Sequence, residues 1–418
     1  MLGAQHIRAL TRYTIREPLD LLIVERDFLL RPCCPRPQNC GMKRIKASRD
    51  RTIDQRESIM SGQDNTRAPQ REDDTAMRQT LRGLLGPQAM AHATGLLLLD
   101  LALARCAAEP PAPAQRAPGL GNGGKAAPGE PPLTMEAVLA MEAKLFALPE
   151  IYARLDALMK DPNTSASDVT ALISKDPALS ATMLKLVNSA FMGRTGLSLG
   201  HRLNPRVDNL ERAVMILGTS QLANLALALS VVPAFRDIDP DVMDMRRFWE
   251  HSISCGLLAR ELALCHGGSD PEQAFVAGLL HDIGRLVMFR HLPGQCAQVL
   301  AQASREETDV YSVESRALGW THADLGGNLL AKWQFPASLA RAAAQHHRPG
   351  TAEVLPALVN AADFLAHVLT LGARADLPVP EFRPEAWDTL PLSAAALEEV
   401  VMAHDQRLAE ITSSFFPT

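Results

Sequence analysis

Among the side chains in the second half of the sequence whose types hold divalent cations, seven stand out: His251, His281, Asp282, His322, His346, His347 and Asp363. Two of them are adjacent, in Ala274-Phe275-Val276-Ala277-Gly278-Leu279-Leu280-His281-Asp282-Ile283-Gly284-Arg285-Leu286-Val287, where they interrupt an otherwise apolar helical run. Burying an ionised carboxylate unpaired is costly, so Asp282 requires a cation or several hydrogen bonds. A metal ion and a satisfied core hydrogen bond both meet that requirement. Neutral imidazole with carboxylate oxygen suits zinc, manganese or iron rather than calcium, which takes all-oxygen cages. The other five bracket the pair at intervals typical of successive helices, so several can converge on one point. Each has a structural reading as well: His322 caps its helix, and imidazolium at His346 and His347 suits a helix C-terminus. His201, His266, His291, His367 and His404 fit no constellation.

The elements that must position these groups are helical. Leu145, Leu148, Ile151, Leu155 and Leu158 recur at helical spacing, and Asp161-Pro162-Asn163 stops that run. Ser165 to Asp168 cap the next helix, and Lys175-Asp176-Pro177 breaks and restarts the chain. Helices over 178–190, 209–218 and 220–232 follow, separated by a loop over 193–208. His251 then lies in Phe248-Trp249-Glu250-His251-Ser252-Ile253, His322 in Gly319-Trp320-Thr321-His322-Ala323-Asp324-Leu325-Gly326, and Asp363 in the apolar run 358–369. A last amphipathic helix runs from Ser393 through Leu397, Val400, Val401, Leu408 and Ile411 and packs back on the body.

Whole-chain numbers agree. The 418 residues are 47% hydrophobic with 5% aromatic, rich in Ala and Leu and poor in alternating Val-Ile-Thr stretches, which favours an all-α, multi-helix architecture over a sheet. A net charge of −5 gives no general reason to expect nucleic acid, whose backbone needs a positive surface. Seven cysteines without paired spacing point to a reducing cytoplasm, and Cys33, Cys34 and Cys40 have no nearby histidine to make a metal knuckle. No apolar run reaches the roughly 18 residues of a membrane span, and the N-terminus has no signal-peptide pattern. Residues 1–73 read as a disordered extension, with Met42 and Met60 as alternative starts. Residues 74–108 read as a short helical segment, 109–133 as a Pro- and Gly-rich flexible linker, 134–380 as the main domain and 381–418 as a C-terminal helical segment.

Several ordered motifs resemble the HDOD domain family across roughly 140–350: Leu148-Pro149-Glu150, Ile173-Ser174-Lys175-Asp176-Pro177-Ala178-Leu179, Leu184-Lys185-Leu186-Val187-Asn188-Ser189-Ala190-Phe191, Ala213-Val214-Met215-Ile216-Leu217-Gly218, Phe248-Trp249-Glu250-His251-Ser252, Gly278-Leu279-Leu280-His281-Asp282-Ile283-Gly284 and Lys332-Trp333-Gln334-Phe335-Pro336. The resemblance implies a helical module related to the HD phosphohydrolases and used in bacterial signalling, acting through regulatory protein partners. By the same resemblance His251, His281, Asp282 and Asp363 match one metal site and His322, His346 and His347 a second, for Fe, Mn or Zn. Asp282 and Arg285 match the positions of catalysis, Arg285 standing where many relatives carry Lys; it keeps a cation for the phosphate of a nucleotide or other phosphoester but changes its shape. His346-His347 is followed by Arg348-Pro349-Gly350-Thr351-Ala352-Glu353, not by the Gly-Tyr-Pro of cyclic-dinucleotide hydrolases. The expectation is a regulatory output module, with a metal-dependent phosphohydrolase as the alternative.

Overall fold

Short helices with side-chain caps are what the punctuation of this sequence enforces. Ser165 and Thr321 each form a reciprocal capping box with an aspartate three residues on, and Asp176, Asn209, Asp244, Asp270 and Asp309 accept from the first free backbone N–H groups of the helices they open. Pro177 and Pro271 stand in first turns, where the missing N–H is no loss.

The structure, a computed structural model, describes residues 68–108, 133–145, 150–191, 207–235, 237–240, 242–350, 353–370, 379–390 and 392–415. These form an all-α architecture with no strand among the described residues. In chain order the helices are α1 Ala68–Ala91, α2 Ala93–Ala108, α3 Met135–Leu145, α4 Glu150–Lys160, α5 Ala166–Ile173, α6 Pro177–Leu186, α7 Leu210–Leu217, α8 Thr219–Val231, α9 Met245–His266, α10 Pro271–Leu280, α11 Ile283–His291, α12 Pro293–Glu306, α13 Val310–Leu318, α14 His322–Lys332, α15 Ala337–Gln345, α16 Val354–Thr370, α17 Pro384–Asp388 and α18 Ala394–Phe415. A π-helical turn, Val187–Phe191, ends α6 earlier than the simple period suggests. Backbone from Ala68 is already helical, so α1 begins before the expected 74. The rest of the N-terminal extension, residues 109–132 of the linker, the Cys33, Cys34 and Cys40 group, His201, Leu148-Pro149 and most of the 193–208 loop lie outside the described residues. No single described helix is long and apolar enough to cross a membrane.

Helix α9 is the axis of the body. It is buried along most of its length and packed by α10, α16 and α18. Two close helix contacts set the site, each at a glycine pair. A Cβ on Gly278 of α10 would stand 2.6 Å from the Cys255 carbonyl oxygen and 2.8 Å from the Gly256 Cα of α9, and one on Gly284 of α11 would stand 2.0 Å from the His322 carbonyl oxygen and 2.7 Å from the Gly326 N of α14. Without side chains at these points the backbones touch, and residues 281–282 are drawn between α9 and α14.

Buried charge ties the outer helices on. Glu142 of α3, fully buried, accepts from Arg290 Nη1 at 3.0 Å and His291 Nε2 at 2.6 Å, so α3 is pinned behind α11. Arg407 of α18 donates to Glu261 of α9 at 2.7 Å, and His404 meets Ser254 at 2.7 Å. His291 and His404 therefore have structural partners.

Candidate metal centre

The His281-Asp282 pair occupies the junction where α10 ends and α11 begins, Asp282 standing in a bridge-region conformation (φ −98°, ψ 14°). His281 Nδ1–H donates to the Gly278 carbonyl at 2.7 Å, and His346 Nδ1–H donates to the Ala343 carbonyl at 2.7 Å. A carbonyl only accepts, so each ring carries a proton on Nδ1 and turns Nε2 inward. His322, at the start of α14, is held by the Glu314 carboxylate through Nδ1 at 2.5 Å and through its backbone N–H at 2.9 Å. That carboxylate-to-imidazole arrangement orients ligating histidines and makes them more basic.

The carboxylates sit among these rings. Asp282 Oδ1 lies 3.3 Å from His322 Nε2 and 3.7 Å from His346 Nε2, while its Oδ2 lies 3.5 Å from His281 Nε2 and 3.2 Å from Arg285 Nε. Asp363 of α16 presents Oδ1 to His251 Nε2 at 3.1 Å and His281 Nε2 at 3.8 Å. His347 Nε2 is 2.9 Å from His322 Nε2. All seven side chains are thus gathered from three helices, α9, α14 and α16, from the α10–α11 junction and from the turn after α15. They fall into groups whose donor atoms lie within 4.8 Å of one another: His322, His346 and His347; His281, Asp282 and His346; and His251, Cys255, His281 and Asp363.

Electrostatics keeps the donors in their ligating forms. Burial pushes His251 down to about 4 and His346 down to about 3, with neighbouring histidines adding to both, and it holds His347 well below the usual imidazole range. Burial works to raise Asp282, but Arg285 and then His281, His322 and His346 outweigh it and hold the carboxyl far below its ordinary value. Asp363 is likewise held low against burial by His367 and His251. Neutral His251, His346 and His347 beside ionised Asp282 and Asp363 are in the protonation states a cation needs.

The fit can be tested without any ion. His281 Nε2, His346 Nε2 and Asp282 Oδ1 are buried and have no hydrogen-bond partner among the described residues. Each such orphan costs about 1–3 kcal/mol. The neutral His346 ring presents its Nε2 lone pair to Asp282 Oδ1 at 3.7 Å, an acceptor facing an acceptor, and a cation between them resolves the conflict. The donor set fits a divalent transition metal.

Four further residues belong here. Cys255 and His367 stand one helical turn from His251 and Asp363; His367 Nδ1 lies 3.2 Å from Asp363 Oδ1, and its ring packs on His251 at 4.7 Å, so the reading that it fits no constellation is wrong. Their i to i+4 spacing was the available signal. Glu314 and Asn360, which donates to the His346 carbonyl at 2.6 Å, carried none, because a loop or a helix boundary separates them from their partners.

Against known proteins, residues 145–349 match the HDOD domain family. A protein of Treponema pallidum (strain Nichols) without assigned function is 25% identical over 219 residues, 52% of this chain and 40% of its own length, so the match spans less than half of that relative. A Shewanella amazonensis SB2B crystal structure, whose name assigns it provisionally to the phosphohydrolases, is similar with TM-score 0.50 and 24% identity, over 66% of this chain and 98% of that one. An HDOD domain protein of unknown function from Geobacter sulfurreducens is similar with TM-score 0.50 and 22% identity, over 67% and 99% of the two chains. At these identities the likeness is one of fold.

Proposed function

This chain belongs to the HDOD domain family through residues 145–349, and we propose that it is a regulatory output module whose helical body is braced by a divalent metal centre and whose surface engages a protein partner. The residues that would hold metal are His251, His281 and Asp363 on one side and His322, His346 and His347 on the other, with Asp282 between. A bound cation would neutralise the carboxylates and act as a Lewis acid toward any oxygen admitted to it. The residues themselves do the positioning: Gly278 and Ala343 carbonyls set two tautomers, Glu314 sets a third ring, and Arg285 holds Asp282.

One observation carries the regulatory reading over turnover. His281, His322 and His346 are 0% exposed, Asp363 2%, Asp282 3% and His347 7%, and only His251, its side chain 16% exposed, stands at the edge, so six of the seven donors are buried. A centre buried to this degree ties α9, α11, α14, α15 and α16 together, whereas a phosphoester would have to reach the buried donors past its His251 edge. The phosphohydrolase reading draws on Asp282, which one group of imidazoles shares with another, and on the Arg285 cation beside it.

The test is metal analysis of the purified protein, followed by phosphodiesterase and phosphatase assays with Zn, Mn and Fe on wild type and on a His281→Ala, Asp282→Ala double variant. The regulatory reading expects bound metal, a melting temperature that drops on chelation, and no metal-dependent turnover. Wild-type turnover of about 1 per second or more, lost in the double variant, overturns it in favour of the enzyme.

A further inference from the structure

Cys255 is fully buried on α9, one turn beyond His251, and the first explanation for such a thiol is core packing. It does pack in an apolar cluster with Leu258 and Leu262, but its sulfur also faces polar atoms. The sulfur lies 3.4 Å from His251 Nε2 and 4.0 Å from Asp363 Oδ1, among polar donor atoms. Those two atoms are themselves 3.1 Å apart, and His281 Nε2 is 3.8 Å from the same Asp363 oxygen. His281 Nε2, wholly buried and without a hydrogen-bond partner among the described residues, belongs to the same group. Asp282 is not a member, since its oxygens belong with His281 and His346.

We infer that Cys255 is a thiolate ligand of the first metal position, completing a four-donor His251, Cys255, His281, Asp363 site that selects zinc or iron(II) over manganese or magnesium. The inference rests on the metal-centre reading above. Metal–sulfur bonds of about 2.3 Å and metal–nitrogen or metal–oxygen bonds of about 2.0–2.1 Å give tetrahedral donor separations of about 3.3–3.6 Å. The separations of 3.1, 3.4, 3.8 and 4.0 Å straddle that window, so small rotamer adjustments bring all four donors to one ion. Coordination exchanges the S–H bond for a metal–sulfur bond and releases the proton to buffer, with no change of oxidation state. A soft thiolate is what distinguishes this position from the all-imidazole and carboxylate group around His322, and it sets the metal preference by ligand type.

Cobalt(II) added to the metal-free full-length protein reads the sulfur directly. The expected result is a near-ultraviolet thiolate-to-cobalt charge-transfer band that disappears in Cys255→Ser and persists in Cys296→Ser. Zinc affinity should fall at least about tenfold in Cys255→Ser, the lower end of what loss of even an outer-sphere partner costs, with manganese affinity changed much less. X-ray absorption of the zinc-loaded wild type, which needs no variant to fold, should show sulfur at about 2.3 Å. Cobalt or zinc that binds without a sulfur signature, or a band that survives Cys255→Ser, overturns the thiolate assignment and leaves the metal centre standing. Failure of either metal to bind wild type overturns both.

Discussion

Replacing Gly284 by Ala tests how the centre is assembled. An added Cβ would stand 2.0 Å from the His322 carbonyl oxygen, 2.7 Å from Gly326 N and 3.0 Å from the His322 carbonyl carbon. Real Cβ atoms keep at least 3.0 Å from such neighbours, so α11 and α14 must part by about 1 Å along the closest contact. All three obstacles are backbone, and no side chain can swing away. Overpacking costs about 1–3 kcal/mol in a tight core, and a backbone collision belongs at the upper end. At about 2 °C per kcal/mol for a large domain, the melting temperature should fall by about 6 °C. The same displacement pulls His322 Nε2 from its 3.3 Å approach to Asp282 Oδ1, so metal content should fall as well. Differential scanning fluorimetry and metal analysis read the two effects, with Gly350→Ala, which meets nothing within 4 Å, as the neutral control. If Gly284→Ala melts with wild type and keeps its metal, the helix contact does not set the site and the reasoning fails.

Acid should destabilise the metal-free protein in a defined window. The folded His251 and His346 titrate at about 4 and about 3 against 6.5 for an unperturbed imidazole, so their contribution is fully present above 6.5 and is lost as pH falls through those folded values. For His251 alone this is of order 3 kcal/mol at 1.36 kcal/mol per unit, read by urea midpoints of chelator-treated protein between pH 7 and 4; a flat profile there refutes neutral buried imidazoles. Glu142→Ala leaves Arg290 and His291 facing an empty buried position, and breaking such a pair from one side costs about 3–5 kcal/mol. Urea denaturation should show that loss, and Glu142→Gln should recover part of it by keeping a hydrogen-bond acceptor.

How much of this was legible beforehand differs by residue. The all-α class followed from local rules, because capping aspartates, first-turn prolines and a 3.6-residue apolar period act within a few residues of one another and need no tertiary partner. His281 and Asp282 were conspicuous for the same reason: two ionisable groups in an apolar run demand a partner wherever the helix packs. Which groups would meet them was another matter. His251, His322, His346, His347 and Asp363 were named from their types and from the family resemblance, whereas their separations depend on the glycine contacts at Gly278 and Gly284, which a sequence records only as small residues. Cys255 and His367 sat one turn from named residues but were passed over, since helical spacing shows that two side chains share a face without showing what that face meets. Glu314 and Asn360 were beyond reach, because their partners lie across a break in the chain. Local chemistry, then, determined the helices and marked the unpaired charge; only the packing of α9, α10, α11, α14 and α16 decided that imidazole nitrogens would face carboxylates in a largely buried space, because convergence is a property of backbone separation and not of residue type.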